Sequence, residues 1–152
     1  MKIFAGILFV LVLLVIGRMI YLSLTSKAPE TKLVNGLLRP CPDTPNCVSS
    51  EDVESTKKIA PIVYTGSAEQ AWNDLRAAIG KSGGVVKYYD ETYLRAVYTS
   101  RLFRFVDDME FRLVPESGII HVRSASRVGK SDLGVNRKNI EKVRLVLNQN
   151  HQ

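Results

Sequence analysis

The chain has 152 residues, of which 24% are charged and 45% hydrophobic, and its formal net charge is +6. This length and this balance suit one globular domain and exclude two domains of ordinary size. The positive charge is uneven, because residues 121–152 contain seven basic and two acidic side chains, whereas residues 27–120 contain twelve basic and thirteen acidic ones. A basic region of this kind attracts anions, phosphates or membrane surfaces, and it is also typical of a solvated helix face.

The first element is an apolar segment at residues 3–24, interrupted by Arg18 and a few small polar side chains. About 22 residues at roughly 1.5 Å per residue are enough to cross a bilayer. A signal peptide also has a basic start and an apolar core, but no small-residue cleavage site follows, and no lipobox precedes Cys41. We predict an uncleaved single-pass anchor over residues 1–26, with a signal peptide as the alternative, and a tether over residues 27–38. Basic residues flank both ends, so charge leaves the orientation open.

Two cysteines follow in the proline-rich sequence Pro40-Cys41-Pro42-Asp43-Thr44-Pro45-Asn46-Cys47. The prolines favour turns, which would bring the two Cα atoms within disulfide distance. A metal site would need two further ligands, and His121 and His151 do not have ligand spacing, so no metal is expected. We predict a disulfide between Cys41 and Cys47, with two free thiols as the alternative. A disulfide would place the domain on the oxidising side of the membrane, in a periplasm or lumen.

The globular domain, residues 39–150, is predicted to have the element order β-α-β-β-β-β-α. A capping box at Ser67–Gln70 opens the first helix, and a Pro-x-x-Gly turn at residues 115–118 joins the last two strands. The predicted fold class is α+β: an antiparallel sheet of about five strands with two helices packed on one face, preceded by a transmembrane helix. The predicted strands are residues 58–65, 85–89, 92–100, 104–114 and 119–126; residues 48–52 are predicted to be irregular, and the helices to cover 67 to about 79 and 136 to about 147, with Asn136 as N-cap.

Strand alternation directs a carboxylate into the core. Within residues 103–113, Asp107 alternates with the apolar positions, whereas Asp108 and the other charged side chains point the other way. In the next strand Ser124 and Ser126 share the apolar face, where they would donate hydrogen bonds to Asp107. Since a buried carboxylate needs such partners, we expect Asp107 to be a structural acceptor, with a general base or ligand-binding acid as the functional alternative.

A glycine-punctuated stretch rich in cations, residues 123–138, follows the last strand. It matches neither a phosphate-binding loop nor a dinucleotide fingerprint, and no Ser–His–Asp arrangement or aromatic platform for nucleic acid accompanies it. A helix N-terminus near Asn136 would offer unsatisfied N–H groups to an anion. We therefore predict an anion-binding loop whose cations face outward or across the helix start, with pairing to nearby carboxylates as the alternative. The candidate residues are Arg123, Arg127, Lys130 and Arg137.

Three segments resemble a family known as the domain of unknown function 1499. They are Cys-Pro-Asp-Thr-Pro-Asn-Cys-Val-Ser-Ser at 41–50, Val-Asp-Asp-Met-Glu-Phe at 106–111 and Arg-Ser-Ala-Ser-Arg-Val-Gly-Lys-Ser-Asp-Leu-Gly-Val-Asn-Arg at 123–137. The segments occur in the family's order, and the resemblance covers about residues 38–147. It implies a membrane- or envelope-associated bacterial protein with relatives in plastids, and it carries no activity, cofactor or catalytic residue. Some members resemble lipoproteins, whereas this chain lacks the lipid-bearing cysteine.

Together these features predict a non-enzymatic binding or accessory module, held at the cell membrane by one helix with its domain outside the cytoplasm. The expected ligand is an anionic lipid headgroup, a small anion or an acidic envelope protein, and neither a cofactor nor nucleic acid is expected. Two alternatives remain open. One is a hydrolase in which Asp107 or Asp108 acts as acid or base, and the other is a purely structural domain that binds another protein.

Overall fold

An apolar helix, α1 (Lys2–Leu24), precedes the folded domain in the computed structural model, which describes residues 2–30, 32–101 and 103–149. Over its most apolar 18 residues the mean hydropathy is 2.8, and none of these residues is buried against the rest of the chain. Within the described ranges it is the one helix long and apolar enough to cross a membrane. It is therefore compatible with a single-pass anchor or a signal sequence.

The domain is built on a six-stranded antiparallel sheet, which confirms the predicted α+β class. The elements after α1 are β1 (Cys47–Ser49), β2 (Ile62–Val63), α2 (Ala68–Lys81), β3 (Val85–Tyr89), β4 (Tyr93–Thr99), β5 (Val106–Val114), β6 (Ile119–Ser126) and α3 (Val135–Gln149). The strand order is β1-β6-β5-β4-β3, and the short β2 pairs with β6 on the same edge as β1. A 3₁₀ turn at Pro115–Ser117 joins β5 to β6.

Two edge strands differ from the predictions. Residues 47–49, predicted to end the cysteine loop without regular structure, pair with β6 as β1, so that Cys47 lies opposite Ala125. The predicted strand at residues 58–65 is reduced to β2, because Pro61 has no N–H to donate and the ladder begins only after it. These two short strands complete the edge of β6 and raise the strand count to six.

The helices α2 and α3 pack on one face of the sheet, as predicted. α2 begins at Ser67, whose side chain accepts the N–H of Gln70 at 3.1 Å, as the capping box requires. Apolar side chains from both helices and from five strands, all but β3, form a single buried core. Its fully buried members include Leu75, Ile79, Leu94, Met109, Phe111, Ile120, Val122, Ile140 and Val143.

The start of α3 differs from the prediction, which made Asn136 the N-cap. Asn136 is the second residue of the helix, and its side chain is fully buried. The capping acceptor is Asp132, whose carboxylate accepts the N–H of Gly134 at 3.0 Å and the N–H of Asn136 at 2.7 Å. The prediction was wrong because Leu133 and Gly134 both adopt positive φ, which places Asp132 over the first turn.

The second face of the sheet carries charged side chains, and the segment that follows α1 covers it. In this segment Arg39 contacts Glu110 on β5, and the N–H of Leu38 donates to Glu51 Oε2 at 2.6 Å. As a result Arg123 on β6 is only 5% exposed. The prediction that Arg123 faces outward is therefore wrong. Strand alternation places its side chain on the face opposite the helices, as expected, but the segment after α1 covers that face and shields it from solvent.

Candidate functional site

Asp107 lies buried near the start of β5, on the helix-covered face. It pairs with Ser126 in the ladder, and Ser126 Oγ donates to Asp107 Oδ1 at 2.5 Å. Asn139 Nδ2 on α3 lies 3.5 Å from the other carboxylate oxygen. Burial raises the pKa of Asp107; the Ser126 hydrogen bond opposes this, and the charges of Asp132 and Asp108 add to it. The carboxyl group thus joins the sheet to α3 from inside the domain.

The side chain of Asn136 is the centre of a neighbouring polar cluster. Its Oδ1 accepts from Ser124 Oγ at 2.5 Å, and its Nδ2 donates to the main-chain oxygen of Asn46 at 2.9 Å and to Ser126 Oγ at 3.0 Å. Both serines were expected to donate to Asp107. Ser126 does so, whereas Ser124 donates to Asn136 instead. The cluster ties the cysteine loop and β6 to the first turn of α3.

Asp108 lies on the opposite face of β5, with 2% of its surface exposed. Arg127 donates to both of its oxygens, from Nε at 2.6 Å and from Nη2 at 3.0 Å. Arg95 Nη1 on β4 donates to Oδ1 at 2.9 Å. Both oxygens are therefore engaged by guanidinium groups, an arrangement that neutralises charge and leaves little access for a substrate.

Glu110, a residue that sequence reasoning did not select, is the fully buried centre of the second face. Tyr93 Oη donates to it at 2.7 Å, Arg123 Nη1 at 2.7 Å and Arg39 Nη2 at 2.6 Å. Burial raises the pKa of Tyr93, and the charge of Glu110 adds to that effect, so the phenol stays a donor. Alternation placed Glu110 opposite the core, and nothing local in the sequence signals that this position is buried.

The arginines around Asp108 and Glu110 outnumber these two carboxylates. Within the part of the chain that the structure describes, four guanidinium groups share the carboxylates of Asp108 and Glu110, an excess of two positive charges. Arg123 Nε is buried and, among the described atoms, has no hydrogen-bond partner. Burial lowers the pKa of Arg123; Glu110 opposes this and the Arg39 charge adds to it. The four groups are those of Arg39, Arg95, Arg123 and Arg127.

A cavity of about 160 Å³ opens beside this cluster, between the second face of the sheet and the segment after α1. Lys27 lies at its rim, and within the described ranges it has no carboxylate partner. We call this the basic cavity. Its lining residues are Lys27, Pro29, Arg39, Pro42, Asp108, Arg123, Ala125, Ser126 and Arg127.

The structure separates the four cations that were predicted to form one anion site. Arg123 and Arg127 line the basic cavity, whereas Lys130 and Arg137 do not. Arg137 Nη2 donates to the main-chain oxygen of Lys58 at 2.9 Å, so it fastens the start of α3 to the segment before β2. Lys130 is exposed in the loop after β6. The four side chains are close in sequence, but they lie on different surfaces, because side chains alternate along β6 and the chain changes direction after it.

The predicted disulfide between Cys41 and Cys47 is confirmed, with the two Cα atoms 5.7 Å apart. Cys47 begins β1, so the bond fixes the proline-rich turn to the sheet edge beside the basic cavity. Among the described residues, no group of three or more His, Cys, Asp or Glu side chains is placed to hold a metal ion. The disulfide is consistent with a domain outside the reducing cytoplasm.

Comparison with known proteins identifies a family and no individual relative. No curated protein and no solved structure matches the chain. A family model described as "Protein of unknown function (DUF1499)" matches residues 37–147, which include the cysteine turn, the whole sheet and most of α3. The match covers well over half of the chain, and the chain therefore belongs to this family of proteins of unknown function, DUF1499.

Proposed function

We propose that this protein is a membrane-anchored, non-enzymatic binding module whose basic cavity holds an anionic group of the phosphate or carboxylate type. The observation that carries the proposal is the charge imbalance beside the cavity, where four guanidinium groups share two carboxylates. Lys27 adds a fifth cation at the rim. An anion in the cavity would balance this charge.

Physical chemistry favours an anion here because burying unbalanced cations is costly. The effective penalty for each buried ion is several kcal/mol unless an opposite charge and hydrogen bonds compensate it. Arg123 is nearly sealed from solvent, yet its Nε still lacks a partner among the described atoms. Guanidinium groups match phosphate and carboxylate oxygens in geometry, which makes these two groups the best-suited ligands.

The position of the cavity suggests the source of that ligand. Lys27 follows the last residue of α1, Leu24, by three positions, so the rim of the cavity lies close to the end of the apolar helix. With α1 in a bilayer and the disulfide on the oxidising side, the cavity would open near the outer headgroup layer. A phospholipid headgroup would reach the cavity directly from that layer, and a soluble phosphate or an acidic side chain of an envelope protein presents the same chemistry.

The test is a titration of the full chain, in zwitterionic micelles, with inorganic phosphate at constant ionic strength. We expect saturable chemical-shift changes in the arginine side chains at the cavity. Lys27→Gln removes one charge without touching a buried ion pair and should weaken binding about fivefold, which corresponds to about 1 kcal/mol. Lys130→Gln is the matched control and should leave binding unchanged, because this lysine does not line the cavity.

Bilayers distinguish a lipid ligand from a soluble one. In nanodiscs of phosphatidylcholine the phosphate titration should match that in micelles, whereas added phosphatidylglycerol should compete if the native ligand is an anionic headgroup. Equal binding in both lipids would assign the cavity to a soluble anion or an acidic protein group. A response that is not saturable, or equal losses with Lys27→Gln and Lys130→Gln, would overturn the proposal.

The contacts of the two aspartates support binding over hydrolysis. Asp107 is enclosed by Ser126 and Asn139, and it does not line the basic cavity. Asp108 does line it, but Arg95 and Arg127 engage both of its oxygens. A general base needs an oxygen within reach of a substrate proton, and neither carboxylate presents one in this arrangement.

A further inference from the structure

We infer that the loop between β4 and β5 inserts its aromatic side chains into the bilayer that α1 crosses, giving the domain a second membrane contact. We call residues 100–101 and 103–105 the β4–β5 loop. The inference rests on α1 acting as a membrane anchor, as in the proposed function, but it concerns another surface and involves no residue of the basic cavity.

The loop is attached to the last turns of α1. Ser23 Oγ donates to the main-chain oxygen of Arg104, and Ser23 is buried although α1 is otherwise almost entirely exposed. Arg104 has a positive φ of 57°, a conformation that is uncommon for a residue other than glycine. Ser100 Oγ accepts the N–H of Phe105 at 2.9 Å and closes the loop from the other side. The loop therefore has a defined shape against the helix.

Phe103 lies beside α1 well inside the apolar length of the helix. The ring and the helix together line an apolar cavity of about 300 Å³, whose helix side begins at Met19 and continues towards the middle of α1. Met19 lies five residues before Leu24, which corresponds to roughly 8 Å along the helix axis. A side chain at that depth lies among acyl chains when α1 spans a bilayer. The residues around the cavity are Leu11, Val12, Val15, Ile16, Met19 and Phe103.

The composition of the loop matches a membrane interface. The rings of Phe103 and Phe105 lie 5.5 Å apart and form one aromatic unit. Arg101 and Arg104 are both exposed and flank Phe103. Apolar rings flanked by basic side chains suit the boundary where acyl chains meet phosphates, because long basic side chains reach the headgroups while the rings stay in lipid. The partner indicated by this chemistry is the lipid bilayer itself.

Fluorescence quenching in vesicles tests the inference directly. The full chain carrying Phe103→Trp is reconstituted in phosphatidylcholine with brominated acyl chains, and the signal of the unaltered chain, which contains only Trp72, is subtracted. We expect the added emission to fall at least about twofold relative to unbrominated lipid and to resist aqueous acrylamide. The control is Val63→Trp, an exposed position at the opposite end of the sheet, which acrylamide alone should quench.

Other outcomes overturn the inference. Quenching of Phe103→Trp by acrylamide and not by brominated lipid would place the loop in water. Quenching by lipid that disappears as the protein-to-lipid ratio rises would assign the apolar face to a second copy of α1. If alkaline carbonate extracts the chain from the vesicles, the anchor fails and the proposed function fails with it. If the chain stays in the vesicles and the phosphate titration is intact, a negative quenching result counts against the loop alone.

Discussion

At the scale of single residues, the adjacent acids of β5 have opposite environments. Asp107 faces the helices, where Ser126 and Asn139 surround it, whereas Asp108 faces the charged side of the sheet and is engaged by guanidinium groups. One step along a strand reverses the side of the sheet, so neighbouring carboxylates share almost nothing except the backbone. A role assigned to one of them does not transfer to the other.

Asp107→Asn tests whether this carboxyl group acts through its shape or its charge. Burial raises the pKa of Asp107 above its ordinary value of 3.8. Between pH 3.8 and the folded-state pKa the unfolded chain releases this proton more readily than the folded protein does, so the wild type loses stability as the pH rises through that interval. Asparagine keeps the acceptor for Ser126 and removes that cost, but its amide nitrogen replaces the oxygen that lies 3.5 Å from Asn139 Nδ2. The loss of that acceptor costs about 1 kcal/mol and offsets part of the gain, so we expect the variant to be more stable at pH 7 by about 1 kcal/mol or less.

Urea unfolding of both proteins in micelles, measured across the acidic range, gives the difference in free energy of unfolding. That difference should be smallest near pH 4 and should grow with pH. A variant that is less stable than the wild type at pH 7 by more than about 2 kcal/mol would show that the charge itself is required, which would reopen a functional role for Asp107.

At the scale of elements, the sheet has two buried faces of different chemistry. One face packs apolar side chains against α2 and α3, and the other holds ion pairs centred on Glu110 under the segment that follows α1. Antiparallel sheets often leave their second face to solvent, and a polar alternation then marks exposure. In this protein the same alternation marks a buried charge network, since Glu110 is fully buried between its partners.

Glu110→Gln should be strongly destabilising because it leaves the buried Arg123 and the partly buried Arg39 without their counter-charge. Breaking a buried ion pair by removing one partner costs about 3–5 kcal/mol. The matched control is Glu141→Gln, which removes a carboxylate that is 51% exposed and pairs with Arg144 on the surface of α3. This change should cost less than about 1 kcal/mol. Equal unfolding midpoints in urea for the two variants would contradict the charge-network interpretation.

At the scale of the whole molecule, three ties between separate elements converge on one end of the sheet. The disulfide holds the turn before β1, Asn136 holds the cysteine loop to α3, and Ser23 holds α1 to the β4–β5 loop. The basic cavity lies at the same end, beside the segment that leaves α1. This arrangement places the charged cavity and the aromatic loop next to the apolar helix, as the proposed function and the inferred membrane contact both require.

Reduction of the disulfide should lower the stability of the domain without dissolving the fold. The Cys41–Cys47 loop spans six positions, and loop-closure entropy assigns about 2 kcal/mol to a link this short. Both cysteines of the chain are in this bond, so reductant alters no other side chain. Urea unfolding with and without dithiothreitol measures the loss, and Cys41→Ser together with Cys47→Ser should reproduce it. An unchanged midpoint would mean that the bond does not restrain the unfolded chain.

Much of the fold was predictable because its signals are local. The capping box at Ser67, the Pro-x-x-Gly turn and the inward direction of Asp107 depend on a few neighbouring residues, and all three agree with the structure. The sequence predicts Asn136 as the cap of α3, whereas the observed cap is Asp132, because the positive φ of Leu133 that brings Asp132 over the helix start has no sequence signature. The sequence does not predict β1, and it predicts β2 as longer than it is, because an edge strand forms only where a neighbouring strand offers a free edge.

The candidate site was much less predictable. The sequence alone determined the apolar helix, the disulfide turn, the order of the elements and the alternation that sets Arg123 and Arg127 apart from the core. Only the tertiary structure decided that Lys27 and Arg39 join those two arginines, and that Lys130 and Arg137 do not. The physical reason is that hydrophobic periodicity acts over a few residues, whereas ion pairing depends on distances in space between groups far apart along the chain.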